Sequence, residues 1–247
     1  MKDTKFQISA LTLHVTAMFC MLLDHLWATV IPGNPWMNWV GRIAFPIFAF
    51  MTVEGYFHTS SFRKYMKRLL VFALLSEIPF NLMNGGSLID PFHQNVIWTF
   101  LISLVCVSQI DRLRKQENGS VKKIALCAGV ALAGFLAATI GMTDYYGFGV
   151  LTVLVFYFFR GRSWPQLLGQ TAGLYLINFV MIQNMDIPLI LFDHEFFFPT
   201  QGFAILALIP IWLYRGKQGP HNKAIQYFCY AFYPVHILIL SLIALWR

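Results

Sequence analysis

Charged residues are scarce in this chain of 247 residues. They make up 12% of it, whereas hydrophobic residues make up 57%. Because about a quarter of the residues of a soluble domain are charged, this composition excludes a soluble enzyme and a disordered chain. The formal net charge of +7 does not require a nucleic acid as partner, since membrane proteins commonly carry basic cytoplasmic loops. We therefore expect a membrane protein surrounded by lipid, with no nucleic acid partner.

Cysteines are few, and the chain lacks the pattern of a membrane β-barrel. The four cysteines (Cys20, Cys106, Cys127 and Cys229) stand in apolar stretches without the spacing of metal ligands. Their small number and their positions exclude a secreted disulfide scaffold. We expect the four cysteines to be small residues of the apolar core instead. Barrel strands alternate apolar and polar residues over roughly ten positions, a pattern that is absent here. No spacing of histidines and aspartates indicates a metal site.

Long apolar runs recur from one end of the chain to the other. A membrane-spanning helix needs about 20 apolar residues, and open strands cannot cross a bilayer. The sequence therefore predicts an all-α, polytopic membrane helix bundle formed by one domain over residues 1–247. The nine predicted spans are 8–31, 36–57, 66–84, 94–110, 122–141, 146–160, 164–183, 200–214 and 223–246.

The basic residues are distributed asymmetrically between the segments that join these spans. With the N-terminus inside, the inner segments hold all but two of the 18 basic residues. They are Lys2, Lys5, Arg63, Lys64, Lys67, Arg68, Arg112, Arg114, Lys115, Lys122, Lys123, Arg160, Arg162, Arg215, Lys217 and Lys223. Such an excess marks the cytoplasmic side. It predicts an odd number of spans, with the N-terminus inside and the C-terminus outside.

The outer loops are acidic instead. They carry Asp90, Asp144, Asp186, Asp193 and Glu195. The longest, residues 184–199, also holds three consecutive phenylalanines. We expect it to lie in the membrane interface or to cover a site.

Several ionisable residues fall well inside predicted spans, among them Asp24, Arg42, Glu54 and Glu77. A charge at the centre of a spanning helix costs about 2.5–3.5 kcal/mol on insertion scales. Such residues normally face the interior of the bundle and mark a functional site. A structural ion pair between Asp24 and Arg42 would not explain Glu77 or the adjacent His25.

Several polar residues are expected at one depth. At 1.5 Å per residue, Asp24, His25, Arg42 and Glu77 all lie about 10 Å below the outer surface. Asn95 opens the fourth span close to the same level. Polar groups from four helices thus converge in the outer half, as they would around a buried reaction centre.

A structural alternative stays open for part of this cluster. Asp24 and Arg42 could simply form an ion pair between adjacent helices. His25 points about 100° away from Asp24 on the same helix, so the two cannot form a tight dyad. A partner that orients His25 must come from another helix, and Glu77 and Asn95 are candidates. Which of Asp24, His25, Glu77 and His236 is the base stays open.

A cluster of basic residues follows the inner end of the second span. It consists of His58, Arg63, Lys64, Lys67 and Arg68. Such a cluster usually anchors a protein to anionic lipid headgroups. The functional alternative is a rim that binds the phosphates of a polyphosphate ligand.

Several segments resemble the TraX family, in order and over nearly the whole chain. They are DH at Asp24, GRIAFPIFAFMTVEGYFHT from Gly41 to Thr59, KYMKRL at Lys64, SEIPF at Ser76, Asn95 with Thr99, DYYGFGV at Asp144 and YAFYPVH ending at His236. The second and longest block is the most specific. The second tyrosine after Asp144 departs slightly from the family pattern.

The resemblance implies an integral-membrane acyltransferase of the bacterial cytoplasmic membrane. The family's namesake N-acetylates pilin subunits, and related enzymes pass an acyl group from a cytosolic acyl-CoA to an acceptor at the other face. A functional histidine in the first helices is expected, and it corresponds to His25. The acceptor would be an amine-bearing peptide, a pilin-like protein or a small molecule. Of these implications, the pilin acceptor is the least transferable.

The residues and the resemblance together give one functional hypothesis. The basic rim (His58, Arg63, Lys64, Lys67 and Arg68) would hold acetyl-CoA, and His25 would act as general base on the acceptor. Arg42 or Asn95 would stabilise the oxyanion, while Asp24 and Glu77 orient these groups. A small proton-coupled transporter is the alternative, because intramembrane Asp, Glu and His residues also form proton relays. A non-enzymatic assembly factor is a third.

Overall fold

The computed structural model describes residues 7–116, 119–182, 186–191, 194–220 and 222–246. Lys2, Lys5, Asp193 and Arg247, which entered the charge count, lie outside the described residues. The α-helices are α1 (Ala10–Thr29), α2 (Pro35–Gly41), α3 (Ala44–His58), α4 (Phe62–Gly85), α5 (Val96–Lys115), α6 (Ser120–Ile140), α7 (Tyr146–Phe158), α8 (Trp164–Tyr175), α9 (Leu208–Leu213) and α10 (Lys223–Leu245). Each of the nine predicted spans has a helical counterpart, so the helical bundle is confirmed.

The second predicted span is interrupted. It consists of α2 and α3, which are separated by a turn at Arg42 and Ile43. Pro46 provides the physical reason, because it has no N–H to donate to the carbonyl four residues earlier, that of Arg42. The Arg42 side chain therefore projects from a break in the helix.

Two further segments depart from regular α-helix. The seventh span ends in a π-helix, Leu176–Met181, and the eighth begins as a 3₁₀-helix, Thr200–Ala207. Between them, part of the predicted outer loop forms an antiparallel hairpin of β1 (Asp186–Leu191) and β2 (His194–Pro199). The all-α fold class is confirmed for the bundle, and this loop adds one two-stranded exception. The hairpin pairs its own backbone groups outside the helix bundle, where strands are not excluded.

The core of the bundle is apolar and lies between α1, α3, α5 and α7. Leu13, Ile47, Phe50, Val107 and Phe156 are among its buried members. A second apolar cluster joins α1, α4, α5 and α10. The last helix, α10, packs against both α1 and α4, so it closes the bundle beside the first helix.

Contacts join the helix ends that the charge pattern assigns to the same side. At the predicted outer end, the Asp144 amide donates to the Gln94 carbonyl at 2.8 Å. At the predicted inner end, Asp111 on α5 accepts from the hydroxyls of Tyr56 on α3 and Tyr157 on α7 at 3.1 and 3.2 Å. We call these two sides the outer end and the inner end.

Five helical segments among the described residues are long and apolar enough to cross a membrane. They are Ala10–Thr29, Pro35–His58, Val96–Lys115, Ser120–Ile140 and Lys223–Leu245. Two shorter apolar segments, Tyr146–Phe158 and Thr200–Leu213, accompany them. The chain is therefore a multi-pass membrane protein, while nine crossings and the orientation of the termini stay predictions.

Candidate functional site

A pair of histidines joins the first and last helices in the outer half of the bundle. Nδ1 of His25 on α1 lies 2.7 Å from Nε2 of His236 on α10. The two rings are nearly parallel, with centroids 4.9 Å apart. His236 is 7% exposed, so this contact is held inside the packed bundle.

The surrounding hydrogen bonds define how the protons of this pair are arranged. Nδ1 of His236 lies 2.6 Å from the carbonyl oxygen of Phe232. A carbonyl can only accept, so this nitrogen must donate. In a neutral ring the other nitrogen of His236 then accepts, which makes His25 Nδ1 the donor. Nε2 of His25 is left with its lone pair, as a general base requires.

An ion pair lies beside the histidines. Nη2 of Arg42 is 3.2 Å from Oδ1 of Asp24, and Nδ2 of Asn38 donates to the same oxygen at 2.7 Å. The Nε atom of Arg42 is buried and has no hydrogen-bond partner. His25 and Arg42 are close enough to interact electrostatically. Asp24 and the Tyr145 side chain therefore engage the guanidinium, while its Nε–H group has no acceptor among the described residues.

The polar chain continues from Arg42 towards the irregular helices. Nη1 of Arg42 lies 3.5 Å from Oε1 of Gln201 in the 3₁₀-helix, and Nε2 of Gln201 donates to Asn178 at 3.0 Å. Asn178 belongs to the π-helix and is 3% exposed. Single π-turns are frequent at functional sites. Both irregular helices thus help to position the Arg42 side chain.

Close packing fixes the ion pair. Gly41 lies against Asp24, and a Cβ atom at position 41 would be 2.4 Å from the Asp24 Cβ atom. No side chain other than the hydrogen of glycine fits without displacing the carboxylate. The glycine before Arg42 is therefore required by the approach of α2 to α1.

Glu77 forms the third part of the site, between α4 and α5. Its Oε1 atom accepts from the side-chain amide and backbone N–H of Asn95 and from Nε1 of Trp98, the last at 2.6 Å. The Oε2 atom is buried without a partner. Asn95 also donates to the Ala73 carbonyl at 2.9 Å and caps α5 through Ile97. Both amide hydrogens of Asn95 are therefore already engaged.

Tyr233 lies between the histidine pair and the Glu77 group. Its ring centroid is 6.3 Å from that of His25, and its side chain approaches the backbone of Val96 at the start of α5. The turn before α7 adds Asp144, which interacts electrostatically with Arg42. Burial raises the pKa of the Asp144 carboxyl, while His93 and Arg42 act in the opposite direction.

The residues of the predicted basic rim occupy the inner end. Arg63, Lys64, Lys67 and His58 are exposed. The Arg68 guanidinium lies over the rings of Tyr65 and Tyr230, at 5.9 and 6.0 Å from their centroids. These residues form an accessible cationic surface.

A cavity of about 280 Å³ opens at the inner end. Its walls come from α3, the turn between α7 and α8, α8 itself and α9, and they include Glu54, Arg160 and Arg162. The sequence predicts a site elsewhere, in the outer half, where polar groups from four helices converge. The described cavity lies instead about 15 Å along α3 from the Arg42 end, as the ten residues from Ala44 to Glu54 require.

The structure brings Asp24, Arg42 and His25 into one neighbourhood and joins Glu77 to Asn95. The expectation that Glu77 or Asn95 orients His25 is wrong, because α10 packs against both α1 and α4 and places His236 in that position. The Asp24–Arg42 ion pair, which was left open as an alternative, is present. The Asp24 carboxylate contacts Asn38 and Arg42, whereas His25 contacts His236, as expected for neighbours that point about 100° apart on a helix.

The sequence reasoning missed several members of the site. Asn38, Asn178 and Gln201 were not selected, although each is a polar residue within an apolar segment. A polar residue within such a segment is usually buried and hydrogen-bonded, so this pattern could have identified them as candidates. Their partners cannot be deduced from the sequence. Among the described residues, no group of three or more His, Cys, Asp and Glu side chains is arranged to hold a metal.

The chain resembles known proteins over nearly its whole length. The family model described as "TraX protein" matches residues 9–244. The "Probable fimbrial assembly protein FimC, serogroup H1" of Dichelobacter nodosus is 28% identical over 244 residues, which cover 94% of this chain and 94% of that protein. No solved structure matches the chain significantly. A match over nearly the full length establishes that the chain belongs to the TraX family.

Proposed function

We propose that this protein is an integral-membrane acyltransferase that moves an acetyl group from cytosolic acetyl-CoA to an amine or hydroxyl acceptor at or near the outer face. The observation that supports this most directly is the histidine pair. Its hydrogen bonds leave Nε2 of His25 as a free base within the electrostatic reach of Arg42. A buried base next to an unpaired cationic donor suits acyl transfer.

In the proposed reaction, His25 first accepts and then returns one proton. Its Nε2 atom accepts the proton that the acceptor amine loses as the new C–N bond forms. The same imidazolium then returns the proton to the sulfur atom as the C–S bond breaks. The products are the acetylated acceptor and a free thiol, so atoms and charge balance.

Arg42 is the better candidate for stabilising the negative charge that develops on the acyl oxygen. Its Nε–H group is buried and unpaired, whereas Asn95 already donates both amide hydrogens. A charged donor that needs no reorganisation is worth most in a water-poor site. Asp24 and Gln201 hold the Arg42 guanidinium in place. The Asp24 carboxylate partly neutralises the positive charge of Arg42.

The inner end suits an anionic donor. The rim of His58, Arg63, Lys64, Lys67 and Arg68 presents cationic groups that would attract the phosphates of acetyl-CoA by charge-assisted contacts. The donor supplies the activated acyl group as a thioester. All of these residues except the half-buried Arg68 are exposed, so the donor would reach the rim from the aqueous phase.

The acceptor is proposed from charge and from the relative's name. The outer loops carry Asp90, Asp186 and Glu195, which favour the approach of a cationic acceptor. The relative from Dichelobacter nodosus is named as a probable fimbrial assembly protein. An amine-bearing peptide of a pilin-like protein is therefore the first acceptor to test, with small-molecule amines as the second.

The decisive experiment compares His25→Ala with the unchanged protein, purified and supplied with labelled acetyl-CoA and an amine-bearing peptide. We expect the variant to lose acetyl transfer by at least about a hundredfold, as for removal of a general base. It should still elute as a folded protein and still bind acetyl-CoA. Full activity in the variant would remove His25 from the mechanism.

The same preparation separates the alternative functions. In sealed vesicles, transfer or hydrolysis of the label supports an enzyme, whereas accumulation of substrate inside supports a proton-coupled transporter. A protein without either activity, whose loss still impairs fimbrial assembly, would be an assembly factor. Mass spectrometry of small amines, peptides and envelope glycans from cells with and without the protein would identify the acceptor.

A further inference from the structure

Hydrogen bonds of a buried side chain connect the walls of the inner cavity. Gln170 on α8 is 2% exposed. Its amide nitrogen donates to the carbonyl of Phe159 at 2.8 Å, and its oxygen accepts from the indole nitrogen of Trp212 at 2.8 Å. One buried side chain thus ties the end of α7 to α9 across the cavity.

The turn between α7 and α8 places two arginines at the cavity. Arg160 and Arg162 flank Gly161, whose φ of +135° suits glycine alone. A Cβ atom at position 161 would also lie 2.4 Å from Oε1 of Gln166. The conformation of this turn is therefore specific, and both guanidinium groups line the cavity.

The two arginines differ in their partners. Nε of Arg160 lies 2.6 Å from Oε1 of Glu54, which neutralises it. Nη2 of Arg162 lies 3.5 Å from the carbonyl oxygen of Trp212. Among the described residues Arg162 forms no ion pair, although Glu54 also acts on it electrostatically. Burial, followed by the Arg215 guanidinium, lowers the pKa of Arg162. An excess of positive charge therefore remains at the cavity after Glu54 has been counted.

We infer that this cavity binds the phosphate groups of an anionic ligand that enters from the inner face, with Arg162 as the principal contact. Guanidinium groups bind phosphate through paired hydrogen bonds. At about 280 Å³, the cavity is close to the lower limit of small-molecule sites and would hold the anionic end of a longer ligand.

If the proposed acyl transfer is correct, that ligand is the acyl donor. The rim adjoins this cavity, since Nδ1 of His58 lies 3.8 Å from Oε2 of the cavity residue Glu54. The rim would then attract the donor from the aqueous phase, and Arg162 would bind its phosphates. The cavity and the Arg42 end of α3 are separated by about 15 Å along the helix axis. The ligand must then carry its reactive group on an extended arm that reaches from the inner end towards His25. The phosphates of coenzyme A and those of an anionic lipid headgroup share the chemistry that Arg162 recognises, so the test must distinguish them.

The test is equilibrium binding of coenzyme A to the purified full chain in neutral detergent. We expect Arg162→Gln to raise the dissociation constant about tenfold or more, as for loss of a charge-assisted contact, and Arg162→Lys to raise it less. Glutamine keeps a donor for the Trp212 carbonyl, so the cavity wall is preserved. The control is Lys122→Gln, which removes one exposed inner charge from α6, away from the cavity.

A parallel measurement uses vesicles that contain phosphatidylglycerol, with the same variants. If Arg162→Gln weakens coenzyme A binding and Lys122→Gln does not, the donor site is supported. If it weakens only the association with phosphatidylglycerol, the site binds a lipid headgroup and the donor assignment is overturned. If neither Arg162→Gln nor Arg162→Glu weakens the binding of coenzyme A or of phosphatidylglycerol, the inference itself is overturned. Binding of coenzyme A without any acetyl transfer would instead contradict the proposed function alone.

Discussion

Nδ1 of His25 and Nε2 of His236 lie 2.7 Å apart, although 211 positions separate the two residues in the sequence. The contact exists because α10 returns to pack beside α1. The carbonyl of Phe232 fixes the second ring nitrogen of His236. The pair is therefore a chain of hydrogen bonds with one defined free end, Nε2 of His25.

The first prediction concerns His236 as the residue that positions His25. Replacing His236 with Phe should lower kcat for acetyl transfer about 10- to 100-fold, similar to the loss of groups that orient metal-binding histidines. The KM for both substrates should change little, because His236 does not contact them in the proposed reaction. His236→Asn, whose side-chain oxygen can accept from His25, should recover part of the activity.

Val235→Ala is the matched control for this series, since Val235 is 51% exposed on the same helix. Equal activities for His236→Phe and the unchanged protein would show that His25 does not depend on the pair. An equal loss in the Asn and Phe variants would indicate a steric role.

The second prediction concerns the charge balance of Asp24 and Arg42. Arg42→Gln leaves the Asp24 carboxylate with Asn38 as its remaining partner, and we expect it to destabilise the protein by about 2–3 kcal/mol. The double variant Asp24→Asn/Arg42→Gln should recover most of this loss, because no unpaired charge remains. Thermal unfolding in detergent measures both.

Activity separates the two roles of Arg42. The double variant should stay inactive if the guanidinium stabilises the developing oxyanion, since glutamine cannot supply its charge. A double variant that is both stable and fully active would reduce Asp24 and Arg42 to an ion pair that holds the helices together.

The third prediction concerns Gly41. Its substitution by Ala places a Cβ atom 2.4 Å from that of Asp24 and should force α2 away from α1. We expect a loss of stability of about 1–3 kcal/mol, as for overpacking in a core, together with reduced acetyl transfer. Gly33→Ala is the control, because nothing lies within 4 Å of a Cβ atom at that position. Similar unfolding temperatures for the two variants would contradict the packing described here.

The fourth prediction concerns Glu77, whose Oε1 atom serves donors on both Asn95 and Trp98. Glu77→Ala leaves these buried donors without their acceptor and should lower the unfolding free energy by about 1–3 kcal/mol. Glu77→Gln retains an acceptor oxygen and should cost less. Leu74→Ala on the exposed face of α4 provides the baseline, since Leu74 is 58% exposed. If the Gln variant is as unstable as the Ala variant, the carboxylate charge and not the acceptor is what matters.

Much of the fold follows from local sequence. Apolar runs of helical length and the side preference of Lys and Arg predict the helical segments and the grouping of their ends, because both act through the bilayer and not through particular contacts. Because an unpaired charge inside the membrane is costly, the sequence also identifies Asp24, Arg42 and Glu77 as residues that need a partner. The break before α3 is consistent with Pro46, but its position at Arg42 required the structure.

The sequence by itself determined which side chains need a partner, while the tertiary structure decided which partner each one has. A helix sequence specifies the face and depth of His25, but hydrogen bonds depend on how helices pack, and α10 comes next to α1 only in the folded bundle. The same holds for Gln201 and Asn178, whose amides meet between two irregular helices. Arg162 was predicted as an inner charge, and only the fold shows that it lines a cavity.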